Sequence, residues 1–354
     1  MKKAIAFILI LAISLSVMVI FGADADIDSA TSKSGGYILD TVKNPVCASV
    51  GGEWAVLGLA RSGINVPEGY FDNYYENLCN YLKACNGVMH RVKYTEYSRA
   101  IIALTAIGED PSDVSGYNLL LPLSDFDKTV KQGINGPIWA LIALDSGNYK
   151  IPENKNVANL ATRRKYVDYI LSKQMEDVTW SLSGEGTDAD ITAMALVALS
   201  KYKEYTPAET AIDRAILKMS ELQNPSGGFM TDGTESVEST AQMLTALSEL
   251  GISHEDSRFT KNGNTLLTNL LSYMLPDGSF FHTNENRESN LMATEQAFYA
   301  LASAKRARDG ENTLYNMSDI AKKGNVSYNR ECAICIMRSF DFIEEALGKT
   351  EGNT

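Results

Sequence analysis

Apolar and polar positions divide the chain into two kinds of segment. Six stretches are apolar nearly all round: EWAVLGLARSG from Glu53, YSRAIIALTAIG from Tyr97, PIWALIALDSG from Pro137, DITAMALVALSKY from Asp190, ESTAQMLTALSELG from Glu238 and TEQAFYALASAK from Thr294. A helix without a polar face is buried on every side. Between them lie segments such as TRRKYVDYILSK (Thr162 to Lys173) and AIDRAILKMSEL (Ala211 to Leu222), where charges alternate with apolar positions as on a surface helix. Buried helices alternating with amphipathic ones predict an all-α double layer.

The six apolar stretches close on Leu59, Leu104, Leu144, Leu199, Leu247 and Leu301, spaced 40 to 55 residues apart, which is the size of a helical-hairpin repeat. Registered on those leucines, Thr95, Asn135, Asp190 and Glu238 share one position, nine residues upstream. Polar residues at helix starts satisfy free N–H groups and favour the dipole, so capping is the structural reading of this repeat. A ligand contact is the other reading, because helix N-termini attract polar groups. The turns repeat too: LQNPSGGF (Leu222 to Phe229) and SYMLPDGSF (Ser272 to Phe280) each end a helix, turn through glycine and place an aromatic beyond it. KQMEDVTW (Lys173 to Trp180) keeps the Gln-to-aromatic spacing without the glycine.

Composition is that of a globular protein, with 354 residues, 45% hydrophobic and 21% charged. The net charge of −12 repels phosphate backbones, so nucleic acid is excluded as a partner. At the N-terminus, Lys2 and Lys3 precede an apolar run from Ala4 to Gly22 and small residues at Ala23 and Ala25. That order reads as a secretory signal over 1–25 and a secreted, extracellular protein. An uncleaved run would instead tether the chain to the cell surface, the only membrane association the sequence offers. Five cysteines follow, Cys47, Cys79, Cys85, Cys332 and Cys335, an odd count that leaves their pairing open. The repeats place a domain over 36–305 and a tail over 306–354, in which RECAICIMRSFDFIEEAL reads as one helix.

Certain residues carry a family resemblance. Gln223-x-x-x-Gly227-x-Phe229 resembles the QW motif of squalene and terpenoid cyclases, with Phe for Trp, and Tyr169-Ile170-x-x-x-Gln174 with Trp180 resembles it more loosely. Together with DADITAMALVAL, ESTAQMLTAL and MATEQAFYAL, these make the chain similar, from about Val42 to Ala304, to bacterial secreted proteins of the prenyltransferase and squalene-oxidase repeat superfamily. The resemblance implies an α/α toroid of six inner and six outer helices around a central cavity. It identifies no activity, since relatives include terpenoid cyclases, protein prenyltransferases, thioester domains and the cobalamin carriers intrinsic factor and transcobalamin.

Each chemistry asks for particular residues. Class II cyclases carry a D-x-D-D-T-A motif, and Asp188-Ala189-Asp190-Ile191-Thr192-Ala193 resembles it, putting Asp190 at the position of the proton donor. Ile191 stands where the motif has its next acid, and such cyclases generally use a second helical barrel, for which this chain has no room. Zinc ligation of the prenyltransferase type lacks partners, because the histidines are only His90, His254 and His282. His282 falls in a turn within reach of a pocket rim. Thr294-Glu295-Gln296 lacks the cysteine of a thioester, and no β domain is present to seal a cobalamin. No metal and no cofactor are expected. The leading reading is therefore a secreted or cell-surface binding and interaction module. Its ligand, a small molecule, glycan or protein, would sit at the toroid mouth against Trp54, Tyr97, Trp139, Tyr299, Asp188, Asp190, Glu238, Gln242 and Glu295. The alternative is a terpenoid-cyclase-like lyase or isomerase with Asp190 as general acid.

Overall fold

The computed structural model describes residues 26–323 apart from residue 232. The signal over 1–25, the tail helix, Cys332 and Cys335 lie outside the described residues. Among the described residues are twelve α-helices: α1 (26–41), α2 (Glu53–Arg61), α3 (Tyr70–Ala84), α4 (Thr95–Ala106), α5 (Phe126–Val130), α6 (Asn135–Ser146), α7 (Arg163–Ser172), α8 (Ala189–Leu199), α9 (Thr206–Leu222), α10 (Val237–Leu250), α11 (Leu266–Ser272) and α12 (Leu291–Arg308). The even-numbered helices are the six apolar stretches. Each packs on the next, and α12 returns to α2, so they close a ring. The odd-numbered helices form the outer layer, and the architecture is an all-α toroid. Its compact unit runs through Ile320, and α1 starts ahead of residue 36.

The closing leucines anchor the ring. All six are at most 1% exposed, worth about 1.5–3 kcal/mol each in buried apolar surface. The residue before each is small: Gly58, Ala103, Ala143, Ala198, Ala246 and Ala300. Small side chains let neighbouring inner helices approach closely. At Gly58 a Cβ would stand 2.6 Å from the Phe298 ring, so the contact that closes α12 on α2 requires glycine.

The glutamine-to-aromatic turns tie the layers together. Gln223 Nε2 donates to the carbonyls of Gly227 and Phe259 at 2.8 and 2.9 Å, while Phe229 is buried beneath. Gln174 Nε2 does the same to Val178 and Ala211. Gly227 and Gly278 have φ +90° and +93°, and Val178 takes the equivalent place at +66°, an unusual conformation for a β-branched residue. This accounts for the missing glycine: the turn is kept, with local strain.

Among the described residues, three two-stranded hairpins interrupt the helices: β1 (Met230–Thr231) with β2 (Thr234–Glu235), β3 (Thr260–Lys261) with β4 (Asn264–Thr265), and β5 (Phe281–Thr283) with β6 (Asn286–Ser289). The first and third lead into α10 and α12 and bring side chains to the ring's N-terminal end. At the opposite end a strap after α12 buries Leu314, Tyr315 and Met317. Its Tyr315 ring meets Trp139 at 6.4 Å, and beside it remains a crevice of only about 10 Å³. Among the described residues, the strap covers that end of the toroid.

Candidate functional site

In each inner helix the residue five before the closing leucine turns toward the axis. These are Trp54, Arg99, Trp139, Met194, Gln242 and Gln296, and all six line one cavity of about 310 Å³ at the N-terminal end. Lys93, Thr95, Glu96, Gln132, Asn135 and Tyr299 complete it. The ring centroids of Trp54 and Trp139 are 5.0 Å apart, and Tyr299 lies 5.9 Å from Trp54, so three aromatics floor a bowl with polar walls. Gln242 Nε2 donates to Gln296 at 2.8 Å and to the Tyr299 hydroxyl. Arg99 pairs with Glu96, leaving the wall near neutral apart from Lys93.

One helical turn above lies the second tier. Asp190 and Glu238 border an adjoining cavity of about 260 Å³ with Thr231, Thr234, Ser236, His282, Met292 and Gln296. Gln296 belongs to both cavities. The position nine before the leucine thus supplies Thr95 and Asn135 to one cavity and Asp190, Glu238 and Met292 to the other.

Capping does not explain this tier. Asp188 caps α8, accepting the Ile191 N–H at 3.0 Å, and Ser236 caps α10, accepting the Ser239 N–H at 3.2 Å. Asp190 and Glu238 sit inside the first turn, pointed at the cavity. Asp190 Oδ1, Glu238 Oε1 and Asn135 Oδ1 are buried with no hydrogen-bond partner among the described residues. Burial pushes the Asp190 carboxyl up to about 6; the Asp188 and Glu238 carboxylates add to this, and the hydroxyls of Ser239 and Thr231 oppose it. Near neutral pH such a group exchanges between acid and carboxylate, as a proton donor must.

The structure separates the other sequence-chosen residues. Trp54, Trp139, Gln242 and Tyr299 meet in the bowl, and Asp190 and Glu238 meet beside it. Asp188 lines neither cavity. Tyr97 faces the 87–90 loop, its hydroxyl accepting the Met89 N–H at 3.1 Å. Glu295 is 1% exposed and accepts the Gly51 N–H at 2.8 Å, latching α12 to the loop before α2; burial pushes it up to about 7. Sequence reasoning passed over Arg99, Met194 and Gln296, which the leucine register marks, Lys93 and Gln132, which come from loops, and Thr231 and Thr234, which come from the first hairpin. Among the described residues no group of three or more His, Cys, Asp or Glu side chains is arranged to hold a metal ion, and no helix is long and apolar enough to cross a membrane. Cys47 is a buried thiol held up at about 12 by burial, which makes it unreactive.

No protein-family profile matches the chain, and no curated protein does. Solved structures do. A variant of the type II terpene cyclase MstE from Scytonema, without ligand, superposes with TM-score 0.53 at 14% identity over 81% of this chain and 99% of its own. Another variant of that cyclase, bound to geranylgeranyl dihydroxybenzoate as substrate, gives TM-score 0.51 at 14% identity and the same coverage. Because a single toroid matches nearly that whole cyclase chain, a second barrel is no requirement of the architecture, which corrects the expectation drawn from the sequence. What these similarities establish is the fold: this chain has the α/α toroid seen in type II terpene cyclases.

Proposed function

We propose that the protein is a terpenoid-cyclase-like isomerase in which Asp190 is the general acid. One observation carries this reading. Asp190 faces a cavity with a buried, unpartnered oxygen and a carboxyl raised to about 6, and the sequence around it, Asp188-Ala189-Asp190-Ile191-Thr192-Ala193, resembles the cyclase acid motif. Protonating an alkene produces a carbocation, and the ring faces of Trp54, Trp139 and Tyr299 in the adjoining bowl offer the electron density that stabilises a cation. The substrate class follows from this chemistry and from the neighbour's bound prenylated substrate: an acyclic polyprenyl compound. The basic and apolar N-terminal sequence supports export of the enzyme.

A second reading, a binding module for a small hydroxylated ligand, is favoured by Ile191 in place of the motif's next acid and by the polar wall of the bowl. One experiment separates the two. The purified chain is incubated with farnesol, geranylgeraniol and squalene, and products are identified by gas chromatography with mass spectrometry. The enzyme reading expects an isomerised product that Asp190→Asn reduces at least about a hundredfold, the usual scale of general acid catalysis. No product from the wild-type chain, with tryptophan fluorescence still quenched by an added sugar or polyol, would establish the binding module instead.

A further inference from the structure

Protonation by Asp190 leaves half of an isomerisation unassigned, because a carbocation becomes a neutral product only when a proton departs. His282 stands at the lip of the Asp190 cavity on β5, between Phe281 and Thr283, which are buried. Its Nδ1 lies 2.7 Å from Oε2 of Glu238. The Glu238 side chain is 8% exposed and that of His282 53%, so a buried carboxylate holds an accessible ring. A carboxylate at Nδ1 fixes the tautomer that carries its hydrogen there and leaves the Nε2 lone pair free. The same carboxylate stabilises the imidazolium formed once Nε2 takes a proton.

We infer that His282, oriented by Glu238, is the base that removes the final proton, so that Asp190 and His282 form an acid–base pair across one cavity. This rests on the acid role proposed for Asp190. In the first step the Asp190 O–H bond breaks and the alkene π pair forms a C–H bond, leaving a carboxylate and a carbocation. In the last step His282 Nε2 takes a proton from the carbon beside the cation, and that C–H pair becomes a new C=C bond. Nothing is oxidised or reduced. The imidazolium loses its proton to solvent and Asp190 regains one, which restores the site. The product is therefore an alkene and not a water-captured alcohol.

The test compares Asp190→Asn, His282→Gln and Glu238→Gln in the full chain, with geranylgeraniol, farnesol and squalene as probes. His282→Gln is expected to lower kcat about a hundredfold and to divert the remaining product toward one that has gained water. Nitrogen NMR of the wild-type chain is expected to show neutral His282 protonated at Nδ1, a preference that Glu238→Gln removes. Wild-type rate and product from His282→Gln, or a neutral ring protonated at Nε2, overturns the assignment of the base. If Asp190→Asn forms no product in the same assay, the acid reading stands without it. A wild-type chain inactive on all three probes, or an Asp190→Asn variant as active as wild type, overturns both.

Discussion

At the C-terminal end of the inner helices, Arg61 is 1% exposed, and its terminal nitrogens donate to both Asp319 oxygens and to the carbonyls of Thr313 and Asn316. Arg306 reaches the same Asp319 at 2.7 Å, and Glu249 accepts from the Thr313 hydroxyl and the Tyr315 N–H. At the N-terminal end, four buried oxygens, on Glu53, Asn135, Asp190 and Glu238, have no partner among the described residues. Both ends bury charge. At the strap end Arg61 Nε is left without a partner but the Asp319 and Glu249 carboxylates are matched, whereas each acid of the mouth leaves an oxygen unmatched. An unmatched buried oxygen costs about 1–3 kcal/mol, so a cluster of them is a local weakness of the fold that a bound ligand would relieve. The strap end carries stability, and under the proposed function the mouth gives up stability for ligand binding.

The largest expected effect tests the strap end. Arg61→Ala leaves Asp319 beside Arg306 alone and strips donors from two strap carbonyls. Losing the charge-assisted bonds of a buried guanidinium and leaving those carbonyls without donors is expected to cost about 3–5 kcal/mol, read as a lower urea midpoint. Ligand binding at the mouth should persist below that midpoint. A loss under about 1 kcal/mol would mean that the strap only rests on the toroid.

Asp190→Asn tests the mouth and is expected to act with the opposite sign. The folded-state value near 6 lies above the ordinary 3.8, so the native form holds its proton more tightly than the unfolded chain. Stability from this group is complete at low pH and is lost as pH rises through about 6, leaving a buried carboxylate penalty at pH 7. Asparagine carries no charge, so the variant should gain about 1–3 kcal/mol at pH 7 and nothing below about pH 4. Thermal unfolding at the two pH values measures it. A variant less stable than wild type at pH 7 would show that the carboxylate is well accommodated, and the comparison between the ends would collapse.

Much of this was legible in the sequence. The alternation of apolar and amphipathic helices and the leucine spacing specify the inner ring, because a helix buried on all sides has no other place in a double layer. The same leucine register also contains the bowl, since residues four apart share one helical face. Trp54, Arg99, Trp139, Met194, Gln242 and Gln296 occupy one position, and the tier above them is the row first read as caps. Tyr97 and Glu295 stand seven and six residues before their leucines, which turns them away from that face toward neighbouring elements. What the sequence conceals is the contribution of irregular segments. Tyr315 fills the far end from a strap without periodicity, and His282 reaches Glu238 across 44 residues through a hairpin. Neither placement leaves a local pattern.

The smallest effect concerns Asp188, two residues from the acid and of the same chemical type. It adopts φ −119° and ψ 107° at the α8 N-cap and accepts the Ile191 N–H, so it works for the helix and not for the cavity. Asp188→Ala should cost about 1 kcal/mol, the usual value of a cap. Removing it also takes one negative charge away from Asp190, which Asp188 helps to push up. With Asp190 acting as the proton donor, the alkaline limb of any pH–activity profile should therefore move slightly lower while the maximal rate stays within a few-fold of wild type. Asp188→Ala would then lose stability and keep turnover, whereas Asp190→Asn would gain stability and lose turnover. If the two variants behaved alike in both measurements, the pair would act as one unit, and the division between a capping acid and a reacting one would be wrong.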